Sequence, residues 1–307
     1  MNYTLRQLRI FLKIAQHQSV TKTAEELYMT QPAVSIQLKN FQNQFSIPLT
    51  EVVGRKLYIT DFGREVAESV EKILNEVEML DYKTSAFKGE LFGQLHISVV
   101  STGKYVLPSF LADFMAQHEG VDLNIDVTNK HKVIESLERN EVDFALVSVL
   151  PKKLKINQEL LMPNRLFLVG KGDIQLEDEL SKKSLFESMQ LIFREQGSAT
   201  RDAMKTFIEK KNLPVRKKIQ LATNEAVKQA VMAGIGHSIM PIIGLKHELK
   251  HQELQIIPFK GLPITTTWRL IWLKSKKLSP AAKAYLQFVQ DEKERIIKEK
   301  FDWIKTY

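Results

Sequence analysis

Apolar side chains recur at helical spacing in three successive segments at the start of the chain. The first helix is predicted over residues 5–17, where a Thr-x-x-Gln capping box precedes a periodic run of apolar residues. A second helix with Thr21 as its predicted cap follows. After a short turn, Thr30 caps a third helix that carries Pro32 in its first turn. Two helices joined by such a tight turn form a helix-turn-helix.

The third helix of a helix-turn-helix lies in the major groove of DNA, so its outward side chains are candidates for reading base edges. Glutamine pairs with adenine, alanine or proline contacts a thymine methyl group, and lysine reaches phosphate or guanine. Next, two short β-type runs around Gly54 predict a hairpin wing that places cations beside the phosphate backbone. The predicted DNA-binding residues are Thr21, Thr30, Gln31, Pro32, Ala33, Ser35, Gln37, Lys39, Arg55 and Lys56. The alternative is three ordinary capped helices followed by a solvated hairpin.

A long helix is predicted from Asp61 to Phe87, a stretch without proline. Its apolar positions keep near-heptad spacing and are Val66, Val70, Ile73, Leu74, Val77, Leu80 and Phe87. An amphipathic helix of about 25 residues with no partner in its own domain needs another helix to cover its stripe, which predicts dimerisation. The alternative is that this helix packs on the C-terminal domain of its own chain.

The C-terminal two-thirds of the chain have the pattern of an α/β fold built from a repeat. From residue 89, strand-like and helical runs follow in the order strand, helix, strand, helix, strand, and the same order returns after residue 190. Two such halves facing each other across a cleft have the layout of periplasmic binding proteins, which close around small solutes. We expect the chain to cross between the halves near residues 161–166 and 264–268.

Both halves present small polar residues at turns from strand to helix. Ser198 matches Ser101, and Thr223-Asn224 matches Thr128-Asn129. Backbone N–H groups and the helix dipole at such turns favour an anion, and ligands of open α/β sheets bind at these strand ends. The nearby cations Lys104 and Arg201 suit a phosphate or a carboxylate group on the ligand. The residues predicted to bind a small anionic ligand are Ser101, Thr102, Lys104, Thr128, Asn129, Ser198, Thr200, Arg201, Thr223 and Asn224. The alternative is that these side chains only cap helices.

Composition narrows the classes of function. The 307 residues, 44% of them hydrophobic, allow two or three folded units. The 44 Lys plus Arg outnumber the 36 Asp plus Glu, and the net charge of +8 favours a polyanionic partner. The absence of cysteine excludes disulfides, thiol chemistry and Cys-ligated zinc. No apolar run approaches the roughly 20 residues of a membrane helix and no signal peptide is evident, so we expect a cytoplasmic protein that does not contact membranes.

One segment, HELKH at residues 247–251, matches the H-E-x-x-H pattern of zinc proteases. Such a site needs a third ligand, yet residues 254–290 contain no Asp, Glu or His, and Lys246 and Lys250 repel a cation. The sequence also lacks G-x-S-x-G, a Walker loop and a complete G-x-G-x-x-G motif. We therefore expect no catalytic residues, no metal and no cofactor.

The segment SVTKTAEELYMTQPAVSIQLKNFQNQFSIPLTEVVGRKLYITDFG resembles the winged helix-turn-helix of LysR-type transcriptional regulators. The matching features include Gln31-Pro32-Ala33-Val34-Ser35 at the start of the third helix, Pro48-Leu49, and a Leu-x-Ile-Thr-x-x-Gly pattern that ends at Gly63. The likeness continues to about residue 290. Three positions depart from the family, which usually has an acidic residue at Gln42, Phe at Thr50 and Arg at Val52.

Three later segments look most like the branch of this family that regulates RuBisCO operons, namely VSTGKYVLPSFLADF, FREQGSATRDAM and TNEAVKQAVMAGIG. The effectors of that branch are phosphorylated sugars or acids, or reduced nicotinamide nucleotide. The resemblance implies a homotetramer that binds promoter double-stranded DNA, works with RNA polymerase and is controlled by a small, anionic effector. The alternative function is a small-solute-binding module that uses its helical head for protein contacts.

The expected architecture combines three parts. A winged helix-turn-helix domain occupies residues 1–60, a dimerising linker helix 61–88, and an α/β effector-binding domain of the two-lobed periplasmic-binding-protein type 89–307. Within the last part, lobe I is expected over 89–163 and 268–307, and lobe II over 164–267.

Overall fold

The computed structural model describes residues 2–54, 56–86, 91–172 and 186–307 of the chain. They belong to two compact units, Met1–Gly93 and Gln94–Tyr307. None of the helices in these residues has the length and apolar character that crossing a lipid bilayer requires.

The N-terminal unit begins with three helices, α1 (Leu5–His17), α2 (Val20–Glu26) and α3 (Gln31–Gln42). The predicted capping box of α1 is present, since the Thr4 hydroxyl accepts from the Gln7 backbone N–H and the Gln7 side chain accepts from the Thr4 N–H. Thr30 caps α3 as predicted, accepting a hydrogen bond from the Ala33 N–H. These caps accept hydrogen bonds from N–H groups of the first turn, which have no carbonyl partner within the helix.

Helix α2 is capped by Ser19, and the prediction that Thr21 caps it is wrong. The Ser19 hydroxyl accepts a hydrogen bond from the Lys22 N–H at 3.3 Å, and Thr21 lies exposed in the first turn. Gln18 ends α1 in the left-handed conformation, with φ of 49°, which leaves Ser19 as the extended residue that enters α2.

The apolar faces of these helices pack into one core whose buried residues include Phe11, Ile14, Val34, Leu38 and Phe41. The Phe11 and Phe41 rings lie with their centroids 5.1 Å apart. Burial of each such side chain stabilises the fold by about 1.5–3 kcal/mol. Because α3 commits one face to this core, its opposite face stays at the surface.

A two-stranded wing follows, formed by β1 (Thr50–Val53) and β2 (Lys56–Ile59) in antiparallel pairing. Val53 pairs with Lys56, so two residues connect the strands, and the first of them, Gly54, has the positive φ of 60° that such a tight turn needs. The second, Arg55, lies outside the described residues. The hairpin agrees with the sequence prediction.

The long helix α4 (Asp61–Ala86) is present as predicted. The sequence predicted that this helix has no partner in its own domain, and that prediction is wrong for its first half. Val70 and Leu74 are buried in the core around α1, and Val66 packs against that core. Farther along, Leu80 is 62% exposed. Phe87, the last residue of the predicted helix, lies outside the described residues.

The C-terminal unit contains the predicted repeat. Its first copy consists of β3 (Gly93–Val100), α5 (Leu107–Gln117), β4 (Val121–Thr128), α6 (Lys130–Glu138) and β5 (Phe144–Val147). After β6 (Ile156–Lys171), the second copy consists of β7 (Gln190–Arg194), α7 (Ala199–Lys210), β8 (Lys217–Leu221), α8 (Asn224–Met232) and β9 (Ser238–Pro241). The chain then forms α9 (Lys246–Lys250), β10 (Leu254–Ile256), β11 (Ile264–Leu273) and α10 (Pro280–Phe301).

Two long strands, β6 and β11, join the lobes. The main sheet has the order β10-β6-β11-β5-β3-β4, with β9 on β6, while β7 and β8 form a separate parallel pair. Strands β6 and β11 pair antiparallel along their length, with a register shift next to the fully buried Trp268. The predicted crossings at 161–166 and 264–268 therefore lie on strands that are hydrogen-bonded to each other.

Each lobe has its own apolar core. In lobe I, the rings of Phe114 and Phe144 contact Tyr285 of α10, and burial raises the pKa of the Tyr285 hydroxyl. In lobe II, a cluster that includes Phe186 and Met204 packs over the sheet. The two cores are connected by the paired strands β6 and β11.

Candidate functional site

Helix α3 presents its outward face at Pro32, Ile36, Lys39 and Asn40, all of which are exposed. These positions lie opposite the buried Val34, Leu38 and Phe41. The predicted readers Ala33, Ser35 and Gln37 are half-buried and flank this face. Ile36 was not among the predicted readers, although the spacing of the three buried residues points to that position.

Gln31 and Ser35 lie next to each other along the first turn of α3. The Gln31 side-chain N–H donates a hydrogen bond to the Ser35 hydroxyl at 3.5 Å. A glutamine held in this way keeps its carbonyl oxygen and second N–H for a base edge or a phosphate.

Gln42 and Thr50, which both depart from the LysR-type pattern, are hydrogen-bonded to each other. The side-chain oxygen of Gln42, at the end of α3, accepts hydrogen bonds from the Thr50 N–H at 3.2 Å and from the Thr50 hydroxyl at 2.7 Å. These are two of the three positions that depart from the LysR-type pattern. Because the departures pair with each other, the wing stays attached to α3.

Cations on this unit are available to phosphate. Arg6, Arg9, Lys22, Lys39 and Lys56 are exposed. Lys13 instead pairs with Glu26 at 2.6 Å, and His17 also contacts that carboxylate. Burial alone raises the pKa of Glu26, but the hydrogen bonds from Lys13 and His17 hold it below its ordinary value. That cluster joins α1 to α2, and the exposed cations remain for a polyanion.

In the C-terminal unit, three of the predicted ligand residues cap helices. The side-chain oxygens of Asn129, Ser198 and Thr223 accept backbone N–H groups at the starts of α6, α7 and α8, at 3.1, 3.5 and 3.0 Å. Thr223 thus matches Asn129, so the repeat alignment shifts by one residue from the predicted one. Local capping accounts for these oxygens, as the alternative interpretation held.

The first copy of the repeat is built differently at the matching turn. Ser101 and Thr102 precede a short 3₁₀ turn, Gly103–Tyr105, and α5 then begins at Leu107 without a side-chain cap. The Ser101 hydroxyl instead accepts a hydrogen bond from the guanidinium of Arg194 in lobe II at 3.1 Å.

Arg194, which ends β7, links the two lobes and was not among the predicted ligand residues. It is only 3% exposed, and its Nε and Nη2 donate to the two carboxylate oxygens of Glu195 at 2.7 and 2.9 Å. Its Nη1 is buried and has no hydrogen-bond partner among the described residues. A buried charged N–H without a partner costs roughly 1–3 kcal/mol or more, so this nitrogen is a strong donor for an incoming acceptor.

Asn224 is a second buried group with hydrogen-bonding capacity to spare. It is 5% exposed, and in the described part of the chain neither its side-chain oxygen nor its nitrogen has a partner. It lines a small cavity together with Thr102 of lobe I and Lys228 of lobe II. Residues of both lobes therefore meet at this cavity.

A charged cluster borders that cavity. Lys228 pairs with Glu248 at 2.6 Å and with Glu225 at 3.2 Å, and the Tyr105 hydroxyl of lobe I donates to Glu225 at 3.3 Å. Burial lowers the pKa of Lys228, but its two carboxylate partners raise it overall. Burial raises the pKa of the Tyr105 hydroxyl.

The two predicted cations are placed differently from the expectation. Arg201 donates through Nη1 to the Arg194 carbonyl at 2.6 Å and to the Gln220 side chain at 2.7 Å, both within lobe II. Lys104 is exposed, with its ammonium 5.0 Å from the centre of the Tyr105 ring. Of the remaining predicted residues, Thr200 is buried and Thr128 is half-buried at the end of β4.

The HELKH segment forms the short helix α9. Its Glu248 is the partner of Lys228, and its His251 Nδ1 lies 2.9 Å from the His247 carbonyl oxygen. Across the described residues, no group of three or more His, Cys, Asp or Glu side chains is arranged to hold a metal ion. The glutamate that a protease would use as a base is here part of the ion-pair cluster.

Known families and proteins match this chain throughout its length. Residues 5–64 match the model described as bacterial regulatory helix-turn-helix protein, lysR family, and residues 88–294 match the LysR substrate binding domain. A RuBisCO operon transcriptional regulator of Allochromatium vinosum is 36% identical over 298 residues, which are 96% of this chain and 98% of that protein. The transcriptional activator CmpR of Synechocystis is 33% identical, over 94% of this chain and 95% of its own length.

Solved structures share the fold of this chain. The regulatory domain of Synechocystis CcmR in complex with 2-PG has a TM-score of 0.62 and 28% identity, and it covers 66% of this chain and 98% of that domain. Full-length CbnR bound to its target DNA, at 18% identity, shares the fold with a TM-score of 0.56 over 94% of this chain and 99% of its own. With a helix-turn-helix, a wing and a two-lobed α/β domain, the chain belongs to the LysR family of transcriptional regulators.

Proposed function

We propose that this protein binds promoter double-stranded DNA through α3 and the wing, and that a small anionic metabolite bound between the two lobes controls its action. The observation that carries the proposal is Arg194. Its buried guanidinium reaches from lobe II to Ser101 of lobe I, and among the described residues its Nη1 has no hydrogen-bond partner. An oxyanion is the acceptor that such a donor binds most strongly.

Ser101 and Asn224 carry hydrogen-bonding groups that suit a phosphorylated or carboxylated ligand. The Ser101 hydroxyl accepts from Arg194, so its own proton is available to an anion, and the Asn224 amide offers both a donor and an acceptor. The related Synechocystis CcmR domain was solved with 2-PG, 2-phosphoglycolate, which carries both kinds of oxyanion. A metabolite of this class is the effector that we propose here.

Control follows from the position of the ligand between two bodies. An anion that receives hydrogen bonds from both lobes stabilises the arrangement in which both sets of donors face each other. A homotetramer that carries this arrangement to its DNA-binding heads would alter how RNA polymerase meets the promoter in the cytoplasm. Support for self-association comes from edge strand β4, where Ile125 and Val127 are 38% and 46% exposed, and from Leu80 of α4.

We propose the same division into domains that the sequence predicts. Residues 1–60 bind DNA, 61–88 dimerise, and 89–307 bind the effector, with lobe I over 89–163 and 268–307 and lobe II over 164–267. The boundaries at 163–164 and 267–268 fall on the paired strands β6 and β11.

Calorimetric titration with 2-PG and with inorganic phosphate tests the ligand class. We expect wild-type protein to bind 2-PG and Arg194→Ala to bind it about 100-fold more weakly, the effect of losing one or two charge-assisted hydrogen bonds. Arg216→Ala is the matched control, because that arginine lies in the same lobe with its side chain 70% exposed. Equal binding by both variants, or no binding by wild type, would contradict the proposed anion site.

A further inference from the structure

The centre of the exposed face of α3 is apolar. Ile36 is 57% exposed and lies directly opposite the buried side formed by Val34, Leu38 and Phe41. Pro32, one turn earlier, and Asn40, one turn later, continue the same line along the helix. The polar residues that the sequence favoured as base readers, Ser35 and Gln37, lie on the two flanks and are half-buried.

An isolated exposed isoleucine is common on protein surfaces and carries no meaning by itself. Here its surroundings indicate the chemistry of a partner. The cations Lys22, Lys39 and Lys56 are exposed on the same small unit, and such a set of charges favours a polyanion. The side chain itself cannot donate or accept a hydrogen bond, so it reads shape and apolar contact only.

The edge of a DNA base pair in the major groove offers few apolar groups. Guanine, cytosine and adenine present hydrogen-bonding atoms there, whereas thymine also presents its C5 methyl group. A side chain at the centre of a helix face that enters the groove lies closest to the base edges. An isoleucine in that place gains by covering a methyl group and loses by facing a polar edge, which it leaves without a hydrogen bond.

We propose that Ile36 is a specificity-determining residue that reads the methyl group of one thymine in each half of the DNA site. This inference rests on the proposed DNA-binding function and adds the identity of the base and the atom read. Gln31 and Lys39, on either side, then supply the polar contacts that fix the register of the helix.

The test replaces methyl groups without changing base pairing. Preferred duplexes are first selected from a random pool with the full-length protein. Each thymine of the selected site is then replaced singly by deoxyuridine, which lacks only the methyl group. Affinity is measured by fluorescence anisotropy for wild type, Ile36→Ala, Ile36→Val and the control Ile47→Ala, an isoleucine of the same unit that is 51% exposed outside α3.

We expect wild-type protein to lose about fourfold in affinity at one deoxyuridine position per half-site, the factor associated with burial of one methyl group. Ile36→Ala should bind the thymine and deoxyuridine duplexes equally at that position, whereas Ile36→Val and Ile47→Ala should keep most of the preference. Circular dichroism melts of the four proteins check that each is folded, as substitutions at exposed positions should leave them.

Several results would overturn the inference. A selected site at which no deoxyuridine weakens wild-type binding, or an Ile36→Ala protein that keeps the full methyl preference, removes Ile36 as the reader while DNA binding stands. Failure to select any preferred sequence would instead contradict the proposed function, and the inference with it. An Ile36→Ala protein that selects the same site but changes its oligomeric state would assign the side chain to protein contact.

Discussion

The two copies of the internal repeat place a serine at the same turn, yet the two serine hydroxyls make different hydrogen bonds. Ser198 caps α7 through its hydroxyl, whereas Ser101 accepts a hydrogen bond from Arg194 of the opposite lobe. The difference arises because the first copy inserts a 3₁₀ turn, Gly103–Tyr105, between its strand and its helix. That turn separates Ser101 from the start of the helix, so its hydroxyl is not used as a helix cap. The two copies share an order of elements and differ at this turn.

The turn that breaks the symmetry depends on Gly103, and its replacement should have the largest effect on stability. A Cβ at Gly103 would lie 2.5 Å from Val99 Cγ1 and 3.0 Å from Leu146 Cδ2. Both neighbours are buried, so we expect Gly103→Ala to cost about 1–3 kcal/mol through overpacking.

Thermal melting provides the measurement for Gly103→Ala, with Gly197→Ala from the second copy as the comparison. A Cβ at Gly197 would meet nothing nearer than 3.5 Å, so only its φ of 87° opposes the change. A drop in melting temperature for Gly103→Ala no larger than that for Gly197→Ala would show that the 3₁₀ turn tolerates a side chain.

Replacing each serine by alanine in a separate variant should affect stability in one case and ligand binding in the other. Ser198→Ala removes a helix cap and should cost about 1 kcal/mol, or roughly 2–4 °C in melting temperature, with 2-PG affinity retained. Ser101→Ala should leave the melting temperature nearly unchanged and weaken 2-PG binding about fivefold, the effect of one hydrogen bond. If both substitutions act alike in melting and in titration, the two turns are equivalent after all.

Asn224 follows the cap of the second copy, and its side chain has neither a donor nor an acceptor partner among the described residues. We expect Asn224→Leu, an apolar residue of similar size, to leave stability unchanged or raise it by up to about 1 kcal/mol, because an unpaired buried amide is costly. The same variant should lose 2-PG binding. Chemical denaturation and calorimetry measure the two effects, and a destabilised variant would indicate that the amide is bonded in solution.

The smallest effect concerns pH and the charged cluster on the second copy. Burial raises the pKa of Glu225, but hydrogen bonds from Gln229, Lys228 and Tyr105 hold it below its ordinary value of 4.5. A carboxyl group whose folded pKa is lowered adds stability above about pH 4.5, and this contribution is lost as pH falls through the folded value. Because Glu225 is largely at the surface, the loss should be modest.

Melting curves between pH 3 and pH 7 for wild type and Glu225→Gln would measure that contribution. The variant should be less stable at neutral pH and should lose less stability on acidification. Parallel curves for the two proteins would mean that Glu225 does not gain stability from its partners.

Much of the fold follows from local sequence. Thr4, Gln7 and Thr30 begin helices as predicted, because a cap needs only a hydroxyl or amide within three residues of the N–H that it binds. The predicted cap of α2, Thr21, lies two residues after the actual cap, Ser19, which follows the left-handed Gln18. The order of strands and helices in both repeats was also predictable, because strand-like and helical runs alternate along the sequence in that order.

The cleft was less predictable, because its contacts join residues far apart in the sequence. Arg194 follows the strand segment QLIF and looked like the end of a strand; its bond to Ser101, 93 residues away, has no local signature. Arg201 and Lys104 seemed suitable by charge alone, but packing directed the first to its own lobe and the second to solvent. Likewise, the apolar stripe of α4 was visible, whereas its partial cover by α1 was not.

The central claim is that an anion held by Arg194 between the lobes controls the DNA complex. The most direct measurement labels the two ends of a selected duplex, binds full-length wild type or Arg194→Ala, and follows the end-to-end distance by energy transfer as 2-PG is added. We predict equal binding without 2-PG, and a 2-PG-dependent change in the distance for wild type alone. A change of the same size in Arg194→Ala, or none in wild type, would contradict the account.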